Sequence, residues 1–197
     1  MRIAIIGIGR VGSAIAYSLL LKARNLDILL CEPHEPNRMK ALAEYSDLLP
    51  VAKATRNKLA FSPGIPNSCQ FYVITSGHPR QTPDTTKDSL FTENWRIVFS
   101  ALQRIPRNKL IGLVTNPPNR LATHARGRGW PRTAPLRFCT DELRAKVRWE
   151  GLNDFVLQHK GHTAWTPGFA CAQEILAVVR AQTPRTSGNR RRKKVKV

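Results

Sequence analysis

Long hydrophobic runs are absent from the sequence. No stretch reaches the roughly 18 apolar residues that are needed to cross a bilayer, which excludes a transmembrane helix and predicts no membrane partner. The first residues, "MRIAIIGIG", run straight into a glycine motif, without a cleavage site or a long apolar segment of the signal-peptide type. These absences predict a cytoplasmic protein.

Cysteine is scarce and does not cluster. Cys31, Cys69, Cys139 and Cys171 are spaced neither as the ligands of a metal site nor as a disulfide framework. No metal is therefore predicted. We expect the four side chains to be buried thiols of a protein from a reducing compartment.

Acidic residues are few. The 197 residues include 13 Asp and Glu against 32 Lys and Arg, a formal net charge of +19. This imbalance favours partners that carry phosphate or carboxylate groups, or nucleic acid, although it does not specify a fold. The length allows one large domain or one and a half.

Buried strands alternate with helices over the first hundred and twenty residues. This alternation favours parallel pairing with helices on both faces, a Rossmann-type doubly wound α/β fold whose ligands bind beyond the carboxyl ends of the strands. The predicted strands are "RIAIIGI", "LDILLC", "CQFYVIT" and "KLIGLVTN", and the predicted helices are Val11 to Leu21, "EPNRMKALAEYSDLL" and "KDSLFTENWRIVFSALQRI".

The character of the sequence changes after Asn119. Eleven Lys and Arg but only two acids lie between Arg104 and Arg148. "ARGRGWPRTAP" is typical of a loop, and helices are predicted at Asp141 to Trp149 and over "FACAQEILAVVRAQ". The closing stretch, "TPRTSGNRRRKKVKV", predicts disorder. We therefore expect a Rossmann domain at 1–119, a reduced α+β substrate domain at 120–181 and a basic tail at 182–197.

A glycine motif joins the first strand to the first helix. Gly7, Gly9 and Gly12 form G-x-G-x-x-G, and Glu32 ends the next strand twenty residues later. Gly7 permits a tight turn, Gly9 lets a pyrophosphate approach the backbone, and Gly12 lets helix and strand pack closely. Glu32 would bind the ribose hydroxyls of NAD and repel a 2′-phosphate. A ligand-free glycine turn is the simpler alternative, but the glycine spacing and the acid position agree independently, so the motif predicts NAD.

Further motifs resemble the lactate/malate dehydrogenase family, in family order over about residues 1 to 181. "VITSGHPRQ" resembles a strand and the mobile substrate loop, "KDSLFTENWRIV" the following helix, and "LVTNPPN" a T-N-P segment. "GWPR…TDELR" resembles the stretch with a D-x-x-R pair, and "KGHTAW" a late K-G-x-T segment. With the glycine motif, the resemblance implies these cofactor-binding residues: Gly7, Gly9, Arg10, Val11, Gly12, Glu32, Thr75, Gly77, Asn94, Val114 and Asn116.

The resemblance also implies substrate-binding residues. Arg80 falls at the loop position that selects the distal group of the substrate, where an arginine implies a dicarboxylate such as malate or oxaloacetate; without the resemblance it is an ordinary solvated cation. Lys87 falls where the family usually has a second arginine. A lysine keeps the positive charge of that arginine but lacks its forked guanidinium group. Asn116 and Arg144 match further substrate contacts.

Asp141 and Arg144 match the catalytic D-x-x-R pair. Three residues apart on a helix, they lie on one face, and from spacing alone a surface ion pair is the simpler interpretation. In the family, the counterpart of Arg144 binds the substrate carboxylate, and that of Asp141 orients a catalytic histidine.

The H-G motif that carries this histidine is missing. His162 follows Arg144 by eighteen positions with no H-G between them, and we interpret this as an internal deletion. Aligning "VLQHKGH" with the family's G-E-H-G region instead brings His159 or Lys160 near the histidine position but leaves "KGHTAW" unmatched. His159 and His162 are the nearby substitutes, and we take His162, beside Thr163, as the catalytic candidate.

Three functions compete. The first is an NAD-dependent 2-hydroxyacid dehydrogenase with a small dicarboxylate or 2-oxoacid substrate, its activity weakened or lost with the histidine segment. The second is a non-catalytic dinucleotide-binding protein. The third, nucleic-acid binding through the basic tail, is not favoured because no recognition module is visible. A homo-oligomer would cover apolar surface that the shortened substrate domain exposes.

Overall fold

The computed structural model describes residues 1–78, 87–136 and 164–182. No helix in this part of the chain combines the length and the apolar character needed to span a membrane. The strands are β1 (Arg2–Ile6), β2 (Asp27–Cys31), β3 (Lys58–Ser62), β4 (Phe71–Ile74), β5 (Leu110–Leu113) and β6 (Thr133–Pro135). The helices are α1 (Arg10–Lys22), α2 (Arg38–Ala54), α3 (Lys87–Leu102), α4 (Pro118–Gly127) and α5 (Trp165–Gln182), and a 3₁₀ turn covers Glu35–Asn37.

The six strands form one parallel sheet in the order β3-β2-β1-β4-β5-β6. After β3 the chain crosses back over β1 and β2 to place β4 on the other side of β1. The predicted doubly wound Rossmann-type fold is therefore confirmed. A crevice is expected at the carboxyl ends of β1 and β4, because the winding reverses there.

Side chains of the central strands alternate between two apolar layers. Ile3 and Ile5 of β1 lie in the layer with α1, α2 and α5, whereas Ala4 and Ile6 lie in the layer with α3 and α4. All four residues are fully buried, which explains why β1 reads as a continuous apolar run. Burial of one such isoleucine contributes about 1.5–3 kcal/mol, so the strands that carry the crevice are firmly anchored.

Three elements of the fold are not predicted by the sequence patterns. β3 is an edge strand without a fully buried residue, α4 is polar, and β6 has three residues. The prediction of a loop over "ARGRGWPRTAP" is wrong at both ends, since residues 125–127 complete α4 and residues 133–135 pair with β5. Short or edge elements bury too few side chains to show a clear hydrophobic period.

The sheet continues past residue 119, the predicted end of the first domain, because β6 belongs to it. α5, which the sequence assigns to the substrate domain, packs along α1 and joins the same core. The division into two domains and a tail stays a prediction. Residues 137–163, with the expected helix at Asp141 to Trp149, and residues 183–197 lie outside the described part of the chain.

The cysteines of the described residues are buried, as predicted. Burial raises the pKa of the Cys31 and Cys171 thiols to about 12, and it also raises the pKa of Cys69. These side chains therefore remain neutral thiols near neutral pH and act as small apolar residues. Cys139 lies outside the described residues.

The contact between α5 and α1 depends on the absence of a side chain at Gly168. A β-carbon there would lie 2.5 Å from the β-carbon of Ala14 and 2.8 Å from its carbonyl carbon. We expect Gly168→Ala to lower the free energy of unfolding by about 1–3 kcal/mol, because overpacking displaces neighbours.

Gly127 in α4 is the matched control, because a β-carbon there would meet nothing within 4 Å. Gly127→Ala should leave stability unchanged or raise it by less than about 1 kcal/mol. Urea unfolding curves measure both variants, and equal effects would contradict the close packing at Gly168.

Candidate dinucleotide-binding site

A cleft of ≈ 690 Å³ opens at the carboxyl ends of β1, β2 and β4. The glycine turn after β1 and the exits of β2 and β4 form its base, and α3 forms a side wall. This is the crevice expected where the strand order reverses. Five residues predicted to bind the cofactor line it together: Gly7, Gly9, Glu32, Thr75 and Gly77.

Gly7 makes the turn that the motif predicts. Its φ of +91° lies in the left-handed region, and a β-carbon would lie 2.6 Å from the amide nitrogen of Ser76. Any other residue would be strained there and would push the β4 exit away from β1. The amide of Gly7 donates to the carbonyl of Cys31 over 2.9 Å, and its carbonyl accepts the hydroxyl of Thr75. The turn is thus bonded to both neighbouring strands.

Gly12 and Gly9 both lack a side chain, which allows close packing at Gly12 and leaves open space at Gly9. A β-carbon on Gly12 would lie 2.2 Å from the carbonyl oxygen of Gly7, so this glycine lets α1 pack against the turn. A β-carbon on Gly9 would meet nothing within 4 Å, although Gly9 lines the cleft. The space beside Gly9 is therefore open to a ligand, as a phosphate-binding turn requires.

The first turn of α1 offers main-chain N–H groups without a competing anion. No side-chain hydrogen bond caps the helix at Gly9, and its first turn holds no acidic residue. The first N–H groups of a helix have no partner within it and form the positive end of its dipole. Arg10 and Val11, two predicted cofactor positions, lie in this first turn and provide such N–H groups. Neither residue is among those that line the cleft. The turn and the helix together suit a diphosphate.

Glu32 lies between the β2 exit and the glycine turn. Its Oε2 accepts the N–H of Ile8 and its Oε1 accepts that of His34, each over 3.1 Å. Glu32 is only 4% exposed, yet it lines the cleft. A carboxylate oxygen accepts more than one hydrogen bond, so both oxygens keep capacity for ribose hydroxyls. The site fits the predicted role, and the sequence gives no sign of the bond to Ile8.

α3 and the residues that follow it close the cleft with apolar side chains and two cations. Ile97 and Ala101 of α3 and Ile65 after β3 give an apolar surface that suits a flat base. Arg96 and Arg104 also line the cleft, are exposed, and form no ion pair with another described residue. These guanidinium groups attract an anionic ligand. Sequence reasoning missed this wall, although the four-residue spacing of Ile97 and Ala101 predicts one helix face.

The buried side chain of Asn94 forms hydrogen bonds with the main chain beyond the ends of both β4 and β5. Its Nδ2 donates to the carbonyls of His78 and Asn116 over 3.2 Å and 2.6 Å, and its Oδ1 accepts the N–H of His78 over 2.6 Å. The sequence predicts a cofactor contact at this position, but the residue is 0% exposed and does not line the cleft. The polar atoms of Asn94 bond to the main chain and position His78 and Asn116. The cofactor contact expected of Asn94 stays a prediction.

The β4 and β5 exits are also tightly packed against each other. A β-carbon on Gly77 would lie 2.4 Å from Cγ2 of Thr115, whose hydroxyl donates to the carbonyl of Ser76 over 2.8 Å. Val114 is buried in the core, and neither it nor the half-buried Asn116 lines the cleft. The cofactor contacts expected of Val114 and Asn116, and the substrate contact expected of Asn116, stay predictions.

The predicted substrate side of the site lies mostly outside the described residues. Arg80 falls within 79–86, and Asp141, Arg144 and His162 fall within 137–163. Lys87 begins α3, and only its main chain is described. The substrate-binding and catalytic roles of these residues stay predictions.

A sequence profile identifies the family to which this fold belongs. The profile of the lactate/malate dehydrogenase NAD-binding domain matches residues 1–130. The chain belongs to the lactate/malate dehydrogenase family. The resemblance that the motifs predict is thereby confirmed, and so is the cofactor, because the matched domain is the one that binds NAD.

Individual members of the family cover different shares of the chain. Malate dehydrogenase from Sulfolobus acidocaldarius is 26% identical over 130 aligned positions, and the alignment covers 62% of this chain and 41% of that protein. The chain thus spans less than half the length of that curated relative.

Solved structures of the family share its fold. Malate dehydrogenase from Archaeoglobus fulgidus in complex with NADH superposes with a TM-score of 0.73 at 20% identity, over 91% of this chain and 78% of that one. Minor L-lactate dehydrogenase from Enterococcus mundtii in its ligands-bound form gives 0.67 at 16% identity, over 90% and 77%. At such identities the likeness shows the fold and not the substrate.

We expect Gly9→Val to weaken NADH binding without unfolding the protein. The added side chain would occupy the open space beside α1, where it meets no protein atom near its β-carbon. NADH fluorescence titration should show a dissociation constant raised by at least about tenfold, which is 1.4 kcal/mol.

Gly12→Val is the contrasting variant, because its β-carbon would overlap the carbonyl of Gly7. It should destabilise the fold in thermal unfolding, whereas Gly9→Val should not. Unchanged NADH affinity in a folded Gly9→Val protein would rule out a diphosphate beside Gly9.

Proposed function

We propose that this protein is an NAD-dependent dehydrogenase of 2-hydroxyacids, with malate and oxaloacetate as its preferred pair. One observation carries the proposal: in a member of this family, the glycine turn is open at Gly9 while the buried carboxylate of Glu32 lies beside it. The preference for a dicarboxylate is supported by Arg80 at its family position, because a guanidinium group binds a carboxylate through two parallel hydrogen bonds.

The residues of the cleft fit a dinucleotide that lies across β2, β1 and β4. Amides of the glycine turn and of the first turn of α1 would hold the diphosphate. Glu32 would bind the adenosine ribose, and Ile65 and Ile97 would pack against the adenine. NADH, when bound, supplies a hydride to the carbonyl carbon of the 2-oxoacid. Arg96 and Arg104 at the rim would draw both anionic ligands toward the cleft.

A dinucleotide-binding protein without chemistry is the second candidate. It is favoured by the absence of an H-G motif between Arg144 and His162, because this motif carries the proton donor that the resemblance implies. Both candidates bind NADH, and only the first oxidises it with a 2-oxoacid.

A homo-oligomer belongs to the proposal as well. Tyr17 and Leu21 of α1 are 39% and 56% exposed, and Met39 and Leu42 of α2 are 76% and 39% exposed. The two helices contact each other. Tyr17 and Leu21 lie four residues apart on one helix and Met39 and Leu42 three apart on the other, so each pair lies on one helix face. Exposed apolar surface marks interaction sites, so these helix faces are the ones that a second copy would cover.

Oxidation of NADH in the presence of 2-oxoacids tests the activity. We expect turnover with oxaloacetate that is faster than with pyruvate, because Arg80 pairs with the second carboxylate. Hydrogen bonds to charged groups contribute about 1.5–3 kcal/mol, so Arg80→Gln should reduce the preference for oxaloacetate by roughly tenfold or more.

Lys53→Gln is the matched control, because Lys53 is an exposed cation near the end of α2 and does not line the cleft. It should leave both rates unchanged. Folded protein that binds NADH but turns over neither 2-oxoacid would contradict the dehydrogenase and leave the binding protein as the function.

A further inference from the structure

Reduction of a 2-oxoacid, the function proposed above, requires a proton donor beside the substrate carbonyl. Hydride transfer forms a C–H bond at the carbonyl carbon and moves the π electron pair of the C=O bond onto the oxygen. A donor bond to hydrogen must then break as the new O–H bond forms. A positioned donor accelerates such a step by about 10²–10⁴-fold. The family's H-G motif, which would supply the donor, is missing from this sequence.

The sheet topology determines which end of the cleft would hold the reacting nucleoside. Glu32 follows β2 on one side of β1, whereas Ser76, Gly77 and His78 follow β4 on the other side. The glycine turn, which suits the diphosphate, lies between them. With one ribose at Glu32, the second nucleoside falls at the β4 exit.

His78 lies at that exit with its main chain held in place. It is exposed and lines the cleft, so its imidazole is accessible to a ligand. The side chain of the fully buried Asn94 bonds to both the N–H and the carbonyl of His78. The histidine is therefore attached to a fixed point of the fold, as a proton donor must be.

The other histidines of the described residues lie elsewhere. His34 lines the cleft at the β2 exit, where its N–H donates to Glu32. His124 lies on α4 away from the cleft, with its ring 4.4 Å from that of Trp95 between centroids. No Asp, Glu, Lys, Cys or Tyr lines the β4 end of the cleft within the described part of the chain. Among these residues, His78 alone places an acid–base group there.

We propose that His78 is the proton donor of the reduction. A ring N–H bond of its imidazolium breaks, the proton passes to the alkoxide oxygen of the substrate, and neutral imidazole remains. The imidazole regains its proton from water. In the opposite direction, neutral imidazole accepts the hydroxyl proton of the 2-hydroxyacid. Histidine side chains suit both steps because they exchange protons readily near neutral pH.

Replacement of His78 by glutamine tests the proton transfer. His78→Gln keeps a polar side chain but removes the acidic N–H group. NADH affinity should therefore remain as in the wild type, while oxaloacetate reduction slows by about 10²–10⁴-fold. Imidazole in solution should restore part of the lost rate, which it would not do for a purely structural defect.

His124→Gln is the matched control and should keep both NADH affinity and rate, since His124 lies outside the cleft. His162→Gln examines the donor that the sequence predicts. Wild-type turnover in His78→Gln, or a loss of rate that appears only in His162→Gln, would overturn the assignment of His78.

Chemical modification tests the placement of His78 without any turnover. Diethyl pyrocarbonate acylates accessible imidazoles, and peptide mass mapping separates His78 from His34. ADP carries only the adenosine and diphosphate, so it should protect His34 and leave His78 reactive, whereas NADH should protect both. Protection of His78 by ADP, or none by NADH, would contradict a position beside the second nucleoside.

The rates of the wild type and of His78→Gln distinguish between failure of the proposed dehydrogenase activity and failure of the assignment of His78. A wild-type protein that binds NADH but reduces no 2-oxoacid contradicts the dehydrogenase, and the proton transfer with it. An active wild type together with an equally active His78→Gln contradicts the role of His78 alone.

Discussion

The main chain of Gly7 and Ile8 joins three strands at one point. Gly7 donates to Cys31 of β2 and accepts the hydroxyl of Thr75 after β4, while Ile8 donates to Glu32. These bonds hold the exits of β1, β2 and β4 at a fixed spacing. A side chain at Gly7 would separate them, because its β-carbon would overlap the β4 exit. The shape of the cleft, and the position of each residue that lines it, depends on this turn.

The cleft combines one buried anion with exposed cations, and the two act over different distances. The carboxylate of Glu32 is held by main-chain N–H groups and reaches only a ligand that has already entered. Arg96 and Arg104 lie at the rim, and the net charge of +19 extends their field. The field is screened over about 8–10 Å at physiological salt. Attraction therefore weakens with ionic strength, whereas orientation by Glu32 does not.

Features with a local cause are the ones that the sequence predicts. The turn at Gly7, the close packing at Gly12 and the acid at Glu32 follow from one continuous segment, β1–turn–α1–β2, so residue spacing is sufficient. β3 and β6 are not predicted, because edge strands bury few side chains and therefore show no clear hydrophobic pattern. The role of Asn94 depends on main-chain groups 16 and 22 residues away, and no local pattern reveals such a clamp. For the same reason, only the folded chain brings the α3 side chains to the cleft.

Binding of a dinucleotide on the glycine turn can be observed residue by residue through the amide chemical shifts of isotope-labelled protein during an NADH titration. Large changes are expected at Ile8, Gly9 and His34, whose N–H groups lie in the turn or donate to Glu32. Arg128, just beyond the far end of α4, should not shift. If the changes are absent from the turn, or are spread evenly over the protein, the dinucleotide does not bind there.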